Sequence, residues 1–252
     1  MPKFSRRLLV LTAALVLLLR ADRSEAKSAQ KETLESGGQK RTCWVYRPAA
    51  LAPDAATPLL LLLHGSGRDG ASQTREWQKL AEKEGILLAA PDALDPRGWA
   101  IPADGPQFLG DVVSFVRARY PVDPARIYLF GHSAGAVFAL NVGPMESEFF
   151  AAVAVHAGAF RDPSDANVLS YASRKIPVLL VVGTKDPYFP LDAVRETKRA
   201  LEAKGFRAEL LEIAGHDHDY YRRSVEINRR AWEFLSPIHL EKDASFKTYA
   251  IR

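Results

Sequence analysis

The chain has 252 residues, 47% of them hydrophobic and 25% charged, which is ordinary globular composition with enough apolar material for one sizeable core. Its formal net charge of +4 is concentrated at the N-terminus: residues 1–26 hold five Lys/Arg against two Asp/Glu, and without them 29 basic residues face 28 acidic ones. A near-neutral remainder argues against a nucleic-acid or anionic-membrane partner.

Residues 1–26 have the layout of a secretory signal peptide. Lys3, Arg6 and Arg7 precede a twelve-residue run, Leu8 to Leu19, that is apolar except for Thr12. Ser24-Glu25-Ala26 then offers small residues at the positions a signal peptidase reads. The competing reading is an uncleaved anchor, but a spanning helix needs about 20 apolar residues. A secreted or periplasmic protein is expected, with no stable membrane association after cleavage. Cys43 is the only cysteine, so no internal disulfide is available, and its apolar surroundings predict a buried, unreactive thiol.

Residues 27–40, rich in Lys, Glu, Ser, Gly and Gln, read as a flexible leader. Thr42 to Tyr46 reads as a first strand, stopped by Pro48. Leu59–Leu63 is continuously apolar, as suits a strand buried on both faces. The same texture recurs at Ile86–Ala90, Ile127–Phe130, Ala152–Val155, Val178–Val182 and Ala208–Ile213. Helical spacing fills the intervals at Ser72–Glu84, Phe108–Arg119, Ala134–Val142, Leu191–Lys204 and Tyr220–Leu235. This alternation predicts an α/β domain over residues 41–236, with a mostly parallel central sheet and helices on both faces. Pro237 ends the last helix, and residues 237–252 form a weakly patterned tail.

Gly131-His132-Ser133-Ala134-Gly135 follows a strand and opens a small-residue helix. That is the context in which G-x-S-x-G forms a strained turn that exposes a nucleophilic serine, with flanking glycines that avoid clashes. A serine hydroxyl needs a base, and the base an orienting acid. In strand-turn-helix sites of this kind both follow the serine in the chain. Asp186, just past the strand Val178–Val182, is the expected acid; Asp192 and Asp165 are weaker candidates. Two histidines, His216 and His218, lie between the last strand and the last helix. His218 is favoured as the base and His216 stays open. His-x-His could also be half a metal site, but no further cluster has ligand spacing, so no metal and no cofactor are expected. The oxyanion donors are expected to be the amides of Ala134 and of Ser66, the latter in Leu63-His64-Gly65-Ser66-Gly67. His64, Trp99, His156 and Tyr188 are the candidate substrate-binding residues, with Phe160 and Phe189 on the same predicted edge.

These residues resemble the polyhydroxybutyrate-depolymerase and feruloyl-esterase branch of the α/β-hydrolases, which overlaps dienelactone-hydrolase-like proteins. The resemblance covers roughly residues 41–236. It rests on Arg41…Tyr46-Arg47-Pro48, Leu63-His64-Gly65-Ser66-Gly67, Pro91-Asp92, Gly98-Trp99, Asp111-Val112-Val113, and Val122 to Tyr128 leading into the nucleophile turn. The spacing of Gly215 and His218 matches the family's final histidine. It implies an α/β-hydrolase fold and a cofactor-free serine esterase that cleaves a small-molecule or polymer-derived carboxylic ester, with Ser133, Asp186 and His218 as its triad. The chain departs from many relatives at Ser66 (Cys in them), at His132 and Ala136 (Leu and Gly), and in showing no separate polymer-binding domain. These departures weaken a polymer or feruloyl specificity more than esterase activity. A peptidase or thioesterase could use the same triad, and a non-catalytic binding protein could keep the same fold.

Overall fold

The computed structural model describes residues 28–49, 51 and 55–241. The expected signal segment 1–26 and most of the tail, 242–252, lie outside these residues.

Eight strands form one sheet: β1 (Gln30–Ser36), β2 (Gln39–Tyr46), β3 (Thr57–Leu63), β4 (Leu87–Pro91), β5 (Val122–His132), β6 (Ala152–His156), β7 (Val178–Gly183) and β8 (Ala208–Ile213). Their spatial order is β1-β2-β4-β3-β5-β6-β7-β8. β1 and β2 pair antiparallel, β2 joins β4 antiparallel, and every pairing from β4 to β8 is parallel. Among the described residues five α-helices accompany them: α1 (Gly70–Glu84), α2 (Pro106–Arg117), α3 (Ala134–Met145), α4 (Leu191–Ala203) and α5 (Tyr220–Leu235). This is the α/β-hydrolase architecture.

The sheet splits the core in two. Leu59, Leu61 and Leu63 of β3 face one apolar layer with Val112, Val116, Ala139 and Val194. Leu60 and Leu62 face the other with Trp77, Tyr220, Ile227 and Leu235. The strand period of two therefore explains the unbroken apolar runs, since both faces are covered. Cys43 is fully buried, and burial raises its thiol pKa far above the ordinary range.

The leader expected over residues 27–40 is instead a strand from Gln30, hairpinned to β2 through Gly37 and Gly38. Its charged residues stay solvated because it is an edge strand, and only Leu34 is buried. The described part of the tail is also attached: Leu240 N–H donates to Ala125 O (2.9 Å), and Tyr128 O–H donates to Ile238 O (2.6 Å).

β3 and β5 are neighbours, yet the chain leaves them towards opposite edges of the sheet. Their carboxyl ends therefore flank the crevice where the strand order reverses, the usual ligand position in open α/β sheets.

Candidate active site

Ser133 sits between the end of β5 and the start of α3 with φ 54° and ψ −116°, a left-handed conformation that strains any residue with a Cβ. Close backbone approach explains both neighbouring glycines. A Cβ at Gly131 would lie 2.3 Å from Gly135 O, and one at Gly135 would lie 2.1 Å from Leu63 O. The Ser133 N–H donates to His156 O (3.0 Å), which ties the turn to the end of β6.

Ser133, His218 and Asp186 form one hydrogen-bonded chain. The Ser133 hydroxyl donates to His218 Nε2 (2.9 Å), and His218 Nδ1–H donates to Asp186 Oδ2 (2.8 Å). Asp186 Oδ1 accepts from the amides of Tyr188 and Phe189, each at 2.9 Å. Burial pushes the Asp186 carboxyl pKa up. The hydrogen bonds from His218, Phe189 and Tyr188 outweigh that, so the net shift is downward and the group is a carboxylate. Asp165 instead accepts from the amides of Arg161 and Asp162, and Asp192 is on α4 beside Arg195.

His216 is turned away from Ser133. It closes a chain of buried imidazoles: His132 Nδ1 is 3.0 Å from His156 Nδ1, and His156 Nε2 is 3.2 Å from His216 Nε2. Burial favours the neutral form of all three rings. Burial holds His132 down at about 3, His156 well below its ordinary value, and His216 below it. Among the described residues no group of three or more His, Cys, Asp or Glu is arranged to hold a metal ion.

Two adjoining cavities lie at the site, and Ser133 lines the larger. The larger, about 680 Å³, is lined by Ser133, His218, Phe160, Tyr188, Phe189 and Arg161, among others. The smaller, about 370 Å³, is lined by Trp99, Ile101, Ala134, Val137, Phe138 and Arg97, among others. Ser66 and Arg161 line both. Ser66 thus sits where the two meet, Ala134 and Trp99 line the smaller cavity, and Tyr188 lines the larger. Trp99 stacks on Phe138 (5.2 Å) and donates from Nε1 to His64 O (2.9 Å).

Two expected pocket residues lie behind the site instead. His64 is buried, with Nδ1–H donating to Gly65 O (2.9 Å) and Nε2 accepting from Ala93 N–H (3.1 Å). Both ring nitrogens are spent on loop structure. His156 is fully buried within the imidazole chain and lines neither cavity. Arg161 was not foreseen. It is exposed beside the serine, with no ion-pair partner among the described residues, and nothing in its sequence context distinguishes it from other surface arginines.

Residues 68–238 match the model of the dienelactone hydrolase family, well over half of the chain. The chain belongs to the dienelactone hydrolase family. It is 32% identical over 155 residues to a bifunctional acetylxylan esterase/xylanase of Neocallimastix patriciarum, covering 59% of this chain and 22% of that protein. It is 24% identical over 144 residues to a poly(3-hydroxybutyrate) depolymerase of Ralstonia pickettii, covering 48% of this chain and 30% of that one. These matches span under a third of either relative's length. Two solved structures share the fold: a thermostable esterase (TM-score 0.66, 22% identity, 84% of this chain and 64% of that chain) and a ferulic acid esterase (TM-score 0.65, 18% identity, 82% and 97%). The family match runs from the loop after β3 to the end of α5, so it contains Ser133, Asp186 and His218.

Proposed function

We propose that this member of the dienelactone hydrolase family is an exported serine hydrolase that cleaves carboxylic esters through an acyl-enzyme. The observation that carries the reading is the Asp186–His218–Ser133 hydrogen-bonded chain, with the serine held at positive φ. Ser133 Oγ attacks the ester carbonyl while His218 Nε2 takes its proton. The Asp186 carboxylate fixes the His218 tautomer and stabilises the imidazolium as it forms. The amides of Ser66 and Ala134 receive the oxyanion. The imidazolium then protonates the departing alcohol, and a water activated by His218 releases the acid and regenerates Ser133. Kinship with an acetylxylan esterase and a hydroxybutyrate-polymer depolymerase supports an ester over an amide or thioester as the substrate bond.

Export rests on the charged-then-apolar layout of residues 1–26. We place the start of the folded domain at the β1 hairpin rather than at residue 41. N-terminal sequencing of the exported protein tests the export assignment.

The decisive experiment is labelling with a fluorophosphonate probe, which phosphonylates activated serines. Wild-type protein labels and Ser133→Ala does not. Labelling that survives Ser133→Ala, or none in folded wild type, overturns the reading. His218→Ala abolishes turnover of p-nitrophenyl acetate, whereas His216→Ala retains much of it; the reverse result exchanges the two roles.

A further inference from the structure

The three buried imidazoles are not accounted for by the proposed chemistry. Three buried, hydrogen-bonded histidines are a costly way to fill a core, because each must stay neutral and find a donor or acceptor for both nitrogens. Their positions suggest what they do. His132 immediately precedes Ser133, His156 ends β6, and His216 is two residues before His218. His216 O also accepts from Lys185 N–H (2.9 Å), next to Asp186. The chain of rings therefore joins the loops that carry Ser133, His218 and Asp186.

His156 is the middle member and grips the nucleophile turn twice. Its carbonyl accepts from the Ser133 N–H (3.0 Å), and its Nδ1 bonds His132 Nδ1 (3.0 Å). His132 in turn packs against the His218 ring, with centroids 5.1 Å apart, and stacks on Tyr220 at the same separation. Backbone strain is concentrated at the same contact. Among the described residues only two non-glycines have positive φ: Ser133 and Ala157, the residue after His156, both at 54°. Strain of this kind persists where surrounding contacts over-determine the geometry.

A neutral imidazole has one N–H, so His156 donates through one nitrogen and accepts through the other. Its two bonds are therefore distinct, one towards the nucleophile turn and one towards the base loop.

We propose that His156 is a positioning residue for hydrolysis at Ser133, acting through His132 to hold the strained nucleophile turn in register with the loop that carries His218. The proposal rests on the esterase reading above.

The two bonds can be broken separately. An Asn amide reaches the position of Nδ1 and can keep the bond to His132. A Gln amide reaches the position of Nε2 and can keep the bond to His216. Phe keeps the ring bulk and loses both. The assay is kcat and KM for p-nitrophenyl acetate with the fluorophosphonate labelling rate, alongside thermal melting. His156→Gln and His156→Phe lose about 10- to 100-fold in kcat, the scale of a misplacement of about 1 Å, with KM within about twofold. His156→Asn stays within about fivefold of wild-type kcat, although its melting temperature falls as far as that of His156→Gln. Equal kcat for the Asn and Gln variants overturns the proposal, as does a Phe variant within about threefold of wild type. So does a loss that simply follows melting temperature.

A measurement on the wild type covers the case in which the variants do not fold. The imidazole ¹⁵N spectrum shows His132, His156 and His216 neutral, each in one fixed tautomer. Averaged tautomers at His156 overturn the proposal. Wild-type protein that is folded but does not label refutes the esterase reading, and the positioning role falls with it. Normal wild-type labelling with undiminished Gln and Phe variants refutes the positioning role alone.

Discussion

Gly135→Ala perturbs the site at the contact that sets the separation of the two proposed oxyanion donors. An added Cβ would lie 2.1 Å from Leu63 O, 2.5 Å from Leu63 C and 2.8 Å from His64 O. All three are backbone atoms at the end of β3, so no side-chain rotation relieves the clash. An ordinary carbon–oxygen contact needs about 3.3 Å, so the start of α3 must move away from β3 by roughly 1.2 Å. Ala134 moves with the helix while Ser66 stays with the loop after β3, and the oxyanion cradle opens by a similar amount. Misplacement on that scale costs about 100-fold in rate. Overpacking of this kind costs about 1–3 kcal/mol, or several degrees of melting temperature for a domain of this size. The comparison is Gly143→Ala on the same helix, where the nearest atom is the Val153 Cγ2 methyl at 2.5 Å and the next is 3.6 Å away. That variant loses stability to a similar degree but keeps its labelling rate within about threefold. Fluorophosphonate labelling kinetics and calorimetry on the two proteins separate the effects. If Gly135→Ala labels within about threefold of wild type, the close approach of α3 to β3 does not set the oxyanion geometry.

Other substitutions and conditions test different parts of the molecule. Asp104 bonds Arg41 at 2.5 Å and also accepts from the amides of Leu94 (2.9 Å) and Ala100 (2.9 Å). Both members of the pair are buried, so Asp104→Ala strands a cation and destabilises by about 3–5 kcal/mol in urea unfolding; a loss under about 1 kcal/mol contradicts this. Acid has a defined effect because His132, His156 and His216 have folded-state pKa values below the ordinary 6.5. Above pH 6.5 they are neutral folded or unfolded and do not affect stability. Below it the unfolded chain binds protons that the folded chain refuses, so stability is lost from about pH 6.5 down towards about 3. With at least two such histidines the slope reaches about 2 kcal/mol per pH unit near pH 5.5, and urea midpoints that stay flat from pH 7 to 5 would refute it. Tyr188 is 73% exposed on the wall of the larger cavity, its ring 4.9 Å from that of His218. Tyr188→Ala raises KM for a bulky aromatic ester several-fold while leaving p-nitrophenyl acetate turnover within about twofold; equal effects on both esters would assign Tyr188 to the chemistry instead.

The parts legible in the sequence were those where one physical signal dominates. β3 and β7 are buried on both faces, so an unbroken apolar run marks each. The α5 stripe shows its period, and both its ends, Tyr220 and Leu235, are where the pattern puts them. β1 was hidden because an edge strand can afford Lys31, Glu32 and Glu35, which resemble a linker until β2 is seen beside them. α3 continues past Val142 to Met145 with Pro144 inside it. Asp186 could be read from its place after β7. Spacing after Gly215 favoured His218 over His216 without closing the choice, because both lie on the one loop between β8 and α5. Nor could the imidazole chain be seen. Its members pair across 24 and 60 residues of sequence, and only the parallel order β5-β6-β7-β8 brings them together.

This arrangement separates what holds the fold from what holds the site. The sheet's apolar faces stabilise the domain wherever the loops lie, since Leu59 to Leu63 and Val178 to Val182 are buried in the two apolar layers. Ser133 and Ala157 run the other way: each costs about 1–3 kcal/mol of backbone strain. Sheet burial cannot specify that strain, because it is indifferent to the backbone angle of one residue beyond a strand end. Short-range contacts must do so: Gly135 against Leu63, Ser133 N–H on His156 O, and the imidazole chain. Substitutions in these contacts should therefore cost more in rate than their loss of stability implies. Substitutions in the two apolar layers should cost stability first and reach the rate only as the protein unfolds.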